Sequence, residues 1–233
     1  MNKMISVIMS VYNATDSLEK SIDSILNQTY EDFEFLICND ASTDDTSKIV
    51  MNYQKKDPRI KLFNNKKNIG LTRSLNYLLM QSSGEFIARQ DGDDESIENR
   101  FQTQIDVLNN LNLDFCTARA FKDNGKITPK LKQLISYKLL IKYLNPFIHG
   151  TLMIKSQTLR NIGGYDENFY YAQDYKLFSD LIKNKSKFKV IRQPLYKLNT
   201  TNNISSLKSS EQDYYAMCVR KSTVPIKQLN DHD

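Results

Sequence analysis

An alternation in the first hundred residues constrains this chain more than any other feature. Four short apolar runs, Ile5–Val11, Phe33–Cys38, Ile60–Phe63 and Glu85–Ala88, are separated by segments with helical spacing. Runs of that length, rich in β-branched and aromatic residues, read as buried strands. Between them Leu18, Ile22, Ile25 and Leu26, then Ile49, Val50 and Tyr53, then Leu71, Leu75, Leu78 and Leu79 mark three amphipathic helices. Ser42-Thr43-Asp44 is a helix-start signal and predicts that the second helix begins near Thr43. Strand–helix repeats of this kind connect right-handed and build a mainly parallel sheet covered by helices. The fold class is therefore α/β, and any site lies beyond the carboxyl ends of the strands.

The second half changes character. After a helix carrying Ile105, Leu108 and Leu111 come a strand over Asp114–Phe121 and a polar turn, Lys122–Lys126. A helix with Leu131, Leu134, Leu139 and Leu140 follows, then a strand-like run, Phe147–Ile154. Residues 163–172 form a loop rich in glycine and tyrosine, 174–184 a helix and Phe188–Leu198 a last strand. The tail after Asn199 is polar with one weak helix, and no internal repeat or clear domain break is visible.

Composition removes several classes of function. At 233 residues the chain suits one domain with a short appendage. His149 and His232 are the only histidines, so multi-histidine metal sites and Ser-His triads are poorly supplied. Cys38, Cys116 and Cys218 are too widely spaced for a zinc site and odd in number, which suits free thiols in a reducing compartment. No apolar stretch approaches the roughly 20 residues of a membrane span. Met4–Val11 runs straight into polar Tyr12–Asp16 and lacks a signal-peptide cleavage site, so the expectation is a cytoplasmic chain. The net charge is +5, concentrated in two runs. Lys183, Lys185, Lys187, Lys189, Arg192 and Lys197 form one, and Lys122, Lys126, Lys130, Lys132, Lys138 and Lys142 the other, against a single acid, Asp123. Solvated faces are the plain reading; the sharper one is peripheral contact with an anionic membrane or a phosphate-bearing substrate. Neither a zinc-finger spacing nor an RNA-recognition signature is present, so nucleic acid is not an expected partner.

The candidate chemistry sits where strands end. Tyr12-Asn13-Ala14 follows the first strand without a glycine, so neither a dinucleotide-binding turn nor a P-loop exists there. A nucleotide bound at this sheet must be held by side chains and a metal. Asp91-Gly92-Asp93-Asp94-Glu95, with Glu98 beyond, places five acids in eight residues of a basic chain. Capping of a helix near Ile97 accounts for two or three of them. The cluster also fits Mg²⁺ or Mn²⁺ bridging a diphosphate. Asn39-Asp40 ends the second strand, where a carboxylate accepts hydrogen bonds from a base or ribose or else caps the next helix. Asp174, beside Gln173, is an N-cap or a general base. His149, alone in an apolar run, suits structure better than catalysis.

In order, these segments resemble the family 2 inverting nucleotide-sugar glycosyltransferases of the GT-A fold. Residues 5–13 resemble that family's first strand, with Ser10 where proline is usual. Asn39–Thr46 is similar to its Asp-Asp-Gly-Ser-Thr-Asp element, Asn68–Asn76 to its third-helix motif, and Ala88–Asp94 to its DxD segment, with Arg100 and Gln104 spaced as in the following helix. Gly163-Gly-Tyr-Asp-Glu167 through Gln173-Asp-Tyr-Lys-Leu177 resembles the acceptor loop and catalytic Glu-Asp motif.

The resemblance implies a Rossmann-like sheet with a smaller mixed acceptor-side region. It implies a domain over 1–198, with a nucleotide-binding half (1–112) and an acceptor-binding half (113–198), followed by a tail over 199–233. Val11, Tyr12, Asn13, Asp40, Arg73, Asp91 and Gly92 would hold the donor nucleotide, a UDP-sugar, with Asp40 on the base and Asp91 near the ribose. Asp93 would bind Mn²⁺ or Mg²⁺, and Asp174 would deprotonate the acceptor hydroxyl. His149, Gly164, Tyr165 and Gln173 would lie on the acceptor side, facing a saccharide or lipid-linked saccharide at the inner face of the cell membrane.

Departures from the pattern are Leu75 for an arginine, with Arg73 two residues earlier, Gln173 for the glutamate beside the base, and Asn39 for the first aspartate of its motif. The absence of tryptophan excludes the Gln-x-x-Arg-Trp motif of processive synthases and favours single transfer. A nucleotidyltransferase is the competing enzyme reading, but it lacks the glycine-rich loop that class needs. A non-catalytic nucleotide- or sugar-binding module of the same fold is the other, opposed by intact Asp91, Asp93 and Asp174.

Overall fold

The computed structural model describes residues 4–130, 136–200 and 209–226. Its first half alternates β1 (Ile5–Val11), α1 (Leu18–Leu26), β2 (Phe33–Asn39), α2 (Thr46–Lys56), β3 (Ile60–Asn64), α3 (Leu71–Gln81) and β4 (Phe86–Arg89). A two-residue strand, β5 (Glu95–Ser96), precedes α4 (Arg100–Asn110). The second half contains β6 (Phe115–Lys122), β7 (Ile127–Thr128), α5 (Tyr137–Leu140), a 3-10 turn (His149–Thr151), β8 (Met153–Lys155), α6 (Ser156–Asn161), α7 (Gln173–Lys183), β9 (Phe188–Leu198) and α8 (Ser209–Lys221).

The strands form one nine-stranded sheet in the order β3-β2-β1-β4-β8-β6-β9-β5, with β7 on β6. β3, β2, β1 and β4 are parallel neighbours; β1, β2 and β4 are almost wholly buried between helices, whereas β3, at the edge, is largely uncovered. Alternation of side chains along β1 sends Ile5, Val7 and Met9 toward Leu18, Ile22, Ile25, Val50 and Phe101. Ile8 points the other way, into a core with Leu75, Leu78, Phe115 and Phe178. β8 then pairs antiparallel with both β4 and β6, restoring the original direction for β6, and β9 lies parallel to β6. The carboxyl ends of β1, β2, β4, β6 and β9 therefore share one rim. α7 runs back against β9, so its amino end also reaches that rim and its carboxyl end lies at the other.

Several expectations are corrected. α2 begins at Thr46 because Asp44 closes a turn before it, its Oδ1 accepting from Thr46 N–H at 3.0 Å. α4 begins at Arg100, with no side-chain cap at Asn99, so the Asp91–Glu98 acids are not helix caps. Phe147–Ile154 is not one strand. Thr151 turns its hydroxyl into the sheet and accepts from Ala118 N–H at 3.0 Å, which interrupts the ladder with the 3-10 turn. Of the helix expected around Leu131–Leu140, Tyr137–Leu140 is helical and Leu131 and Leu134 lie outside the described residues. The three cysteines are buried free thiols. Among the described residues no helix is long and apolar enough to cross a membrane.

Candidate active site

Three turns at the shared rim build the site. At the end of β1, Val11 is buried, Tyr12 is half exposed and Asn13 adopts a left-handed φ of 49°. The Asn13 Oδ1 accepts from Thr43 N–H at 2.9 Å, tying this turn to the one after β2. Asp40, 2% exposed, is held by three donors: Asn65 Nδ2 at 2.7 Å and Ile69 N–H at 2.9 Å on Oδ1, and Gly70 N–H at 2.8 Å on Oδ2. It is not a helix cap; it folds the 65–70 loop against the floor of the crevice. Asn39, also read as a cap, bonds Asn64 and Ser42 instead. Arg73 on α3 is half exposed and pairs with Glu167 at 3.4 Å, spanning to the 163–172 loop.

The acidic turn after β4 rests on two buried arginines. Arg89, 1% exposed, donates from Nη2 to Asp91 Oδ1 at 2.5 Å and from Nη1 to Ile8 carbonyl oxygen at 3.3 Å. Arg100, fully buried, binds Arg89 carbonyl oxygen at 2.8 Å, Ser96 Oγ at 2.8 Å and Gln90 Oε1 at 3.2 Å. Among the described residues it has no carboxylate partner, and burial lowers its pKa to about 10. Gly92 sits where a Cβ would lie 2.6 Å from Val11 Cγ1, so only glycine lets this turn approach β1. Asp93 is exposed at the rim, and enclosing protein walls, then the Asp91 charge, push its pKa up. Asp94 is buried, accepts from Asn199 N–H at 2.7 Å, and is pushed up to about 8 by burial, then by Asp91 and Asp93. Past Asp93 a cavity of about 440 Å³ opens between α1, β5 and the β6–β7 turn, with Lys20, Lys122 and Lys197 in its wall.

The third turn carries Asp174. Ala172 adopts a left-handed φ of 51° immediately before α7 and serves as its N-cap, so Asp174 is not the cap. The Asp174 Oδ1 accepts from Tyr175 N–H at 2.7 Å and Oδ2 from Asn145 Nδ2 at 2.7 Å. Burial raises the Asp174 pKa and these bonds lower it; Asp91 is near enough for its charge to raise it further. Gln173, beside Asp174, is half-buried and neutral. Gly164, with a φ of 76°, lies where a Cβ would meet Asn76 Oδ1 at 2.7 Å. Asn76 clasps the next residue, Tyr165, through both backbone N–H and carbonyl at 2.9 Å each. The Tyr165 hydroxyl meets His149 Nε2 at 2.8 Å, and burial, then Arg89, lower the His149 pKa to about 3. His149 is thus a neutral support.

Sequence reasoning missed Asn145, Arg89 and Tyr196. The Tyr196 hydroxyl accepts from Asp91 N–H at 3.1 Å, across 105 positions of chain. Asn145 and Tyr196 have no local signal because their partners come from distant segments, whereas Arg89 pairs with Asp91 only two residues on.

An α/β sheet with acids gathered at the carboxyl rim of its parallel strands is the architecture of the GT-A glycosyltransferases. S. aureus TarS superposes with a TM-score of 0.75 at 21% identity, covering 97% of this chain and 41% of that one. TarS 1-349 in complex with UDP-GlcNAc gives 0.77 at 21% identity, covering 97% and 68%. The mannosyltransferase PcManGT from Pyrobaculum calidifontis, in complex with GDP-Man and Mn²⁺, gives 0.73 at 18%, covering 97% and 66%. The model of glycosyl transferase family 2 matches residues 6–180, and the chain belongs to that family. The putative glycosyltransferase EpsE of Bacillus subtilis is 36% identical over 69% of this chain, which spans 59% of EpsE. The UDP-Glc:alpha-D-GlcNAc-diphosphoundecaprenol beta-1,3-glucosyltransferase WfgD of Escherichia coli is 33% identical over 78% of this chain and 71% of its own length.

Proposed function

We propose that this protein transfers one sugar from a UDP-sugar to a saccharide or lipid-linked saccharide, with inversion, in the building of a surface glycan. The observation that carries the reading is Asp174: a carboxylate of raised basicity, fixed by two hydrogen bonds, within the electrostatic reach of Asp91. WfgD, whose acceptor is a diphosphoundecaprenol-linked sugar, supports the lipid-linked class. The complexes of TarS with UDP-GlcNAc and of PcManGT with GDP-Man and Mn²⁺ support a nucleotide-sugar and a divalent cation.

In this reading Tyr12 and the Asp40-braced loop receive the base, and Arg89 fixes Asp91 toward the ribose. The acceptor hydroxyl gives its proton to Asp174 while its oxygen attacks the anomeric carbon opposite the nucleoside diphosphate. The new glycosidic bond forms as the bond from the anomeric carbon to the phosphate oxygen breaks, and the diphosphate leaves with that electron pair. The carboxylate must come within about 3 Å of the hydroxyl. Asp93 fits a hard divalent cation that keeps waters and substrate phosphate oxygens in its shell. The described residues hold no closed group of three or more His, Cys, Asp or Glu ligands, so the diphosphate would complete the coordination. A divalent cation held by Asp93 would supply positive charge to the leaving diphosphate. Lys20 and Lys122 line the adjoining cavity and suit the same charge.

Calorimetric titration of UDP, with GDP and dTDP as controls, tests this with and without Mn²⁺. The expected result is Mn²⁺-dependent binding of UDP. Binding of no nucleotide under either condition overturns the reading.

A further inference from the structure

Two surfaces compete for contact with an anionic membrane, and the fold separates them. Lys183, Lys185, Lys187 and Lys189, the denser run of charge, span the end of α7 and the start of β9. The Lys187 N–H binds Asp114 just ahead of β6, which puts the run at the amino-end rim, opposite the acids. The nine helical steps from Asp174 to Lys183 set them about 14 Å apart along the axis of α7. A membrane held there would face away from the site.

The second surface is α5 and the turn after it. Its inner side is anchored to α7: Tyr137 stacks on Phe147 at 5.5 Å, and Phe147 packs on Phe178 at 4.5 Å. Tyr175 Oη donates to Ile141 carbonyl oxygen at 2.8 Å. The outer side exposes Leu139 (48%), Tyr143 (66%) and Leu144 (48%) beside exposed Lys138 and Lys142. No core requires these three apolar side chains outside. The next residue, Asn145, hydrogen-bonds Asp174. Between Asp123 and Asp166 the chain has no carboxylate at all, against six lysines and one arginine.

We propose that Leu139, Tyr143 and Leu144, flanked by Lys138 and Lys142, insert into the headgroup region of an anionic bilayer and bring the Asp174 side of the site to the membrane surface. Apolar side chains with interleaved lysines are the chemistry of an interfacial segment: the lysines pair with anionic headgroups while the apolar groups leave water. The rigid link through Asn145 means that the docked patch sets how Asp174 faces a lipid-borne acceptor. The proposal rests on the lipid-linked reading of the acceptor given above.

The test is co-sedimentation of the full chain with phosphatidylcholine vesicles, with and without phosphatidylglycerol. The parent should bind the anionic vesicles and not the neutral ones. The triple variant Leu139→Ser, Tyr143→Ser, Leu144→Ser should lose at least about tenfold in partition, and Lys138→Glu with Lys142→Glu at least about 25-fold, at roughly fivefold per lysine. Both should bind UDP as the parent does, which reports an intact fold. Charge reversal of Lys183, Lys185, Lys187 and Lys189 should lower partition far less than reversal of the two patch lysines. Absence of vesicle binding by the parent, parent-like binding by the triple variant, or loss confined to the distal reversal overturns the proposal. So does a concentration-dependent dimer of the parent that the triple variant abolishes, which would assign the patch to a second copy. Vesicle binding without any nucleotide binding would instead remove the transferase reading and leave the surface.

Discussion

Glu34 at the amino end of the sheet and the Asp91–Asp94 turn at its carboxyl end hold carboxylates in opposite ways. At the amino end Glu34, with its side chain 7% exposed, accepts from Ser6 Oγ at 2.5 Å, Ser83 N–H at 2.8 Å, Ser83 Oγ at 2.8 Å and Lys61 Nζ at 2.7 Å. Burial pushes its pKa up, but Lys61, Ser6 and Ser83 together overcome that and hold it at about 2. At the carboxyl end three aspartates share one turn in which, among the described residues, Arg89 is the one ion-pairing cation, and Asp93 and Asp94 are raised. The difference is the number of donors per carboxylate. Where donors saturate the oxygens, charge stabilises the fold; where they are withheld, the site keeps affinity for positive charge and protons.

That contrast breaks most sharply at Asp174. Asp174→Asn should lower transfer by about 10³-fold, within the range of a general base, while UDP affinity stays within about twofold. Single-turnover transfer beside calorimetry checks it, and near-parent transfer removes Asp174 from the role. At the other end, Glu34→Ala should cost about 3 kcal/mol in urea denaturation, because Lys61 and the serine donors lose their acceptor. The pH dependence has a definite sign. A folded pKa of about 2 lies below the unfolded value of about 4.3, so the Glu34 contribution is complete above about pH 5 and drains away as pH falls toward 2. Glu34→Gln should flatten the stability profile across that window.

Two smaller effects sharpen the comparison. With UDP present, Mn²⁺ at about ten times its Kd should stabilise the parent by a further amount of about 1.4 kcal/mol, seen as a rise in Tm, and Asp93→Ala should abolish the rise. Glu34→Gln should leave it intact. Asn145→Ala removes one of the two donors on Asp174, which favours its protonated form and raises its pKa. The acid limb of kcat against pH should move upward, with kcat reduced about tenfold and donor KM unchanged. An unmoved limb would make Asn145 merely a loop residue.

The strands were the legible part of this fold. Ile5–Val11 and Phe188–Leu198 appear with the bounds their residue patterns predict, because burial on both faces or a long alternating run leaves a local signature. Glu95–Ser96 carries none: two polar residues become a strand only because Lys197 and Tyr196 lie opposite them. The same holds for the 3-10 turn at His149, where the Thr151 hydroxyl displaces a strand from the ladder.

At the rim the sequence named residue types and their order: acids after the fourth strand, an aspartate beginning the helix before the last. It did not say that Asp40 would brace the 65–70 loop, that Asn145 would hydrogen-bond Asp174, or that the densest run of lysines would face the opposite rim. Those outcomes depend on which distant segments meet. Periodicity and composition are local and survive in a one-dimensional reading. A hydrogen bond such as Asn145 to Asp174, or Tyr196 to the Asp91 amide, exists only once the sheet has brought its partners together.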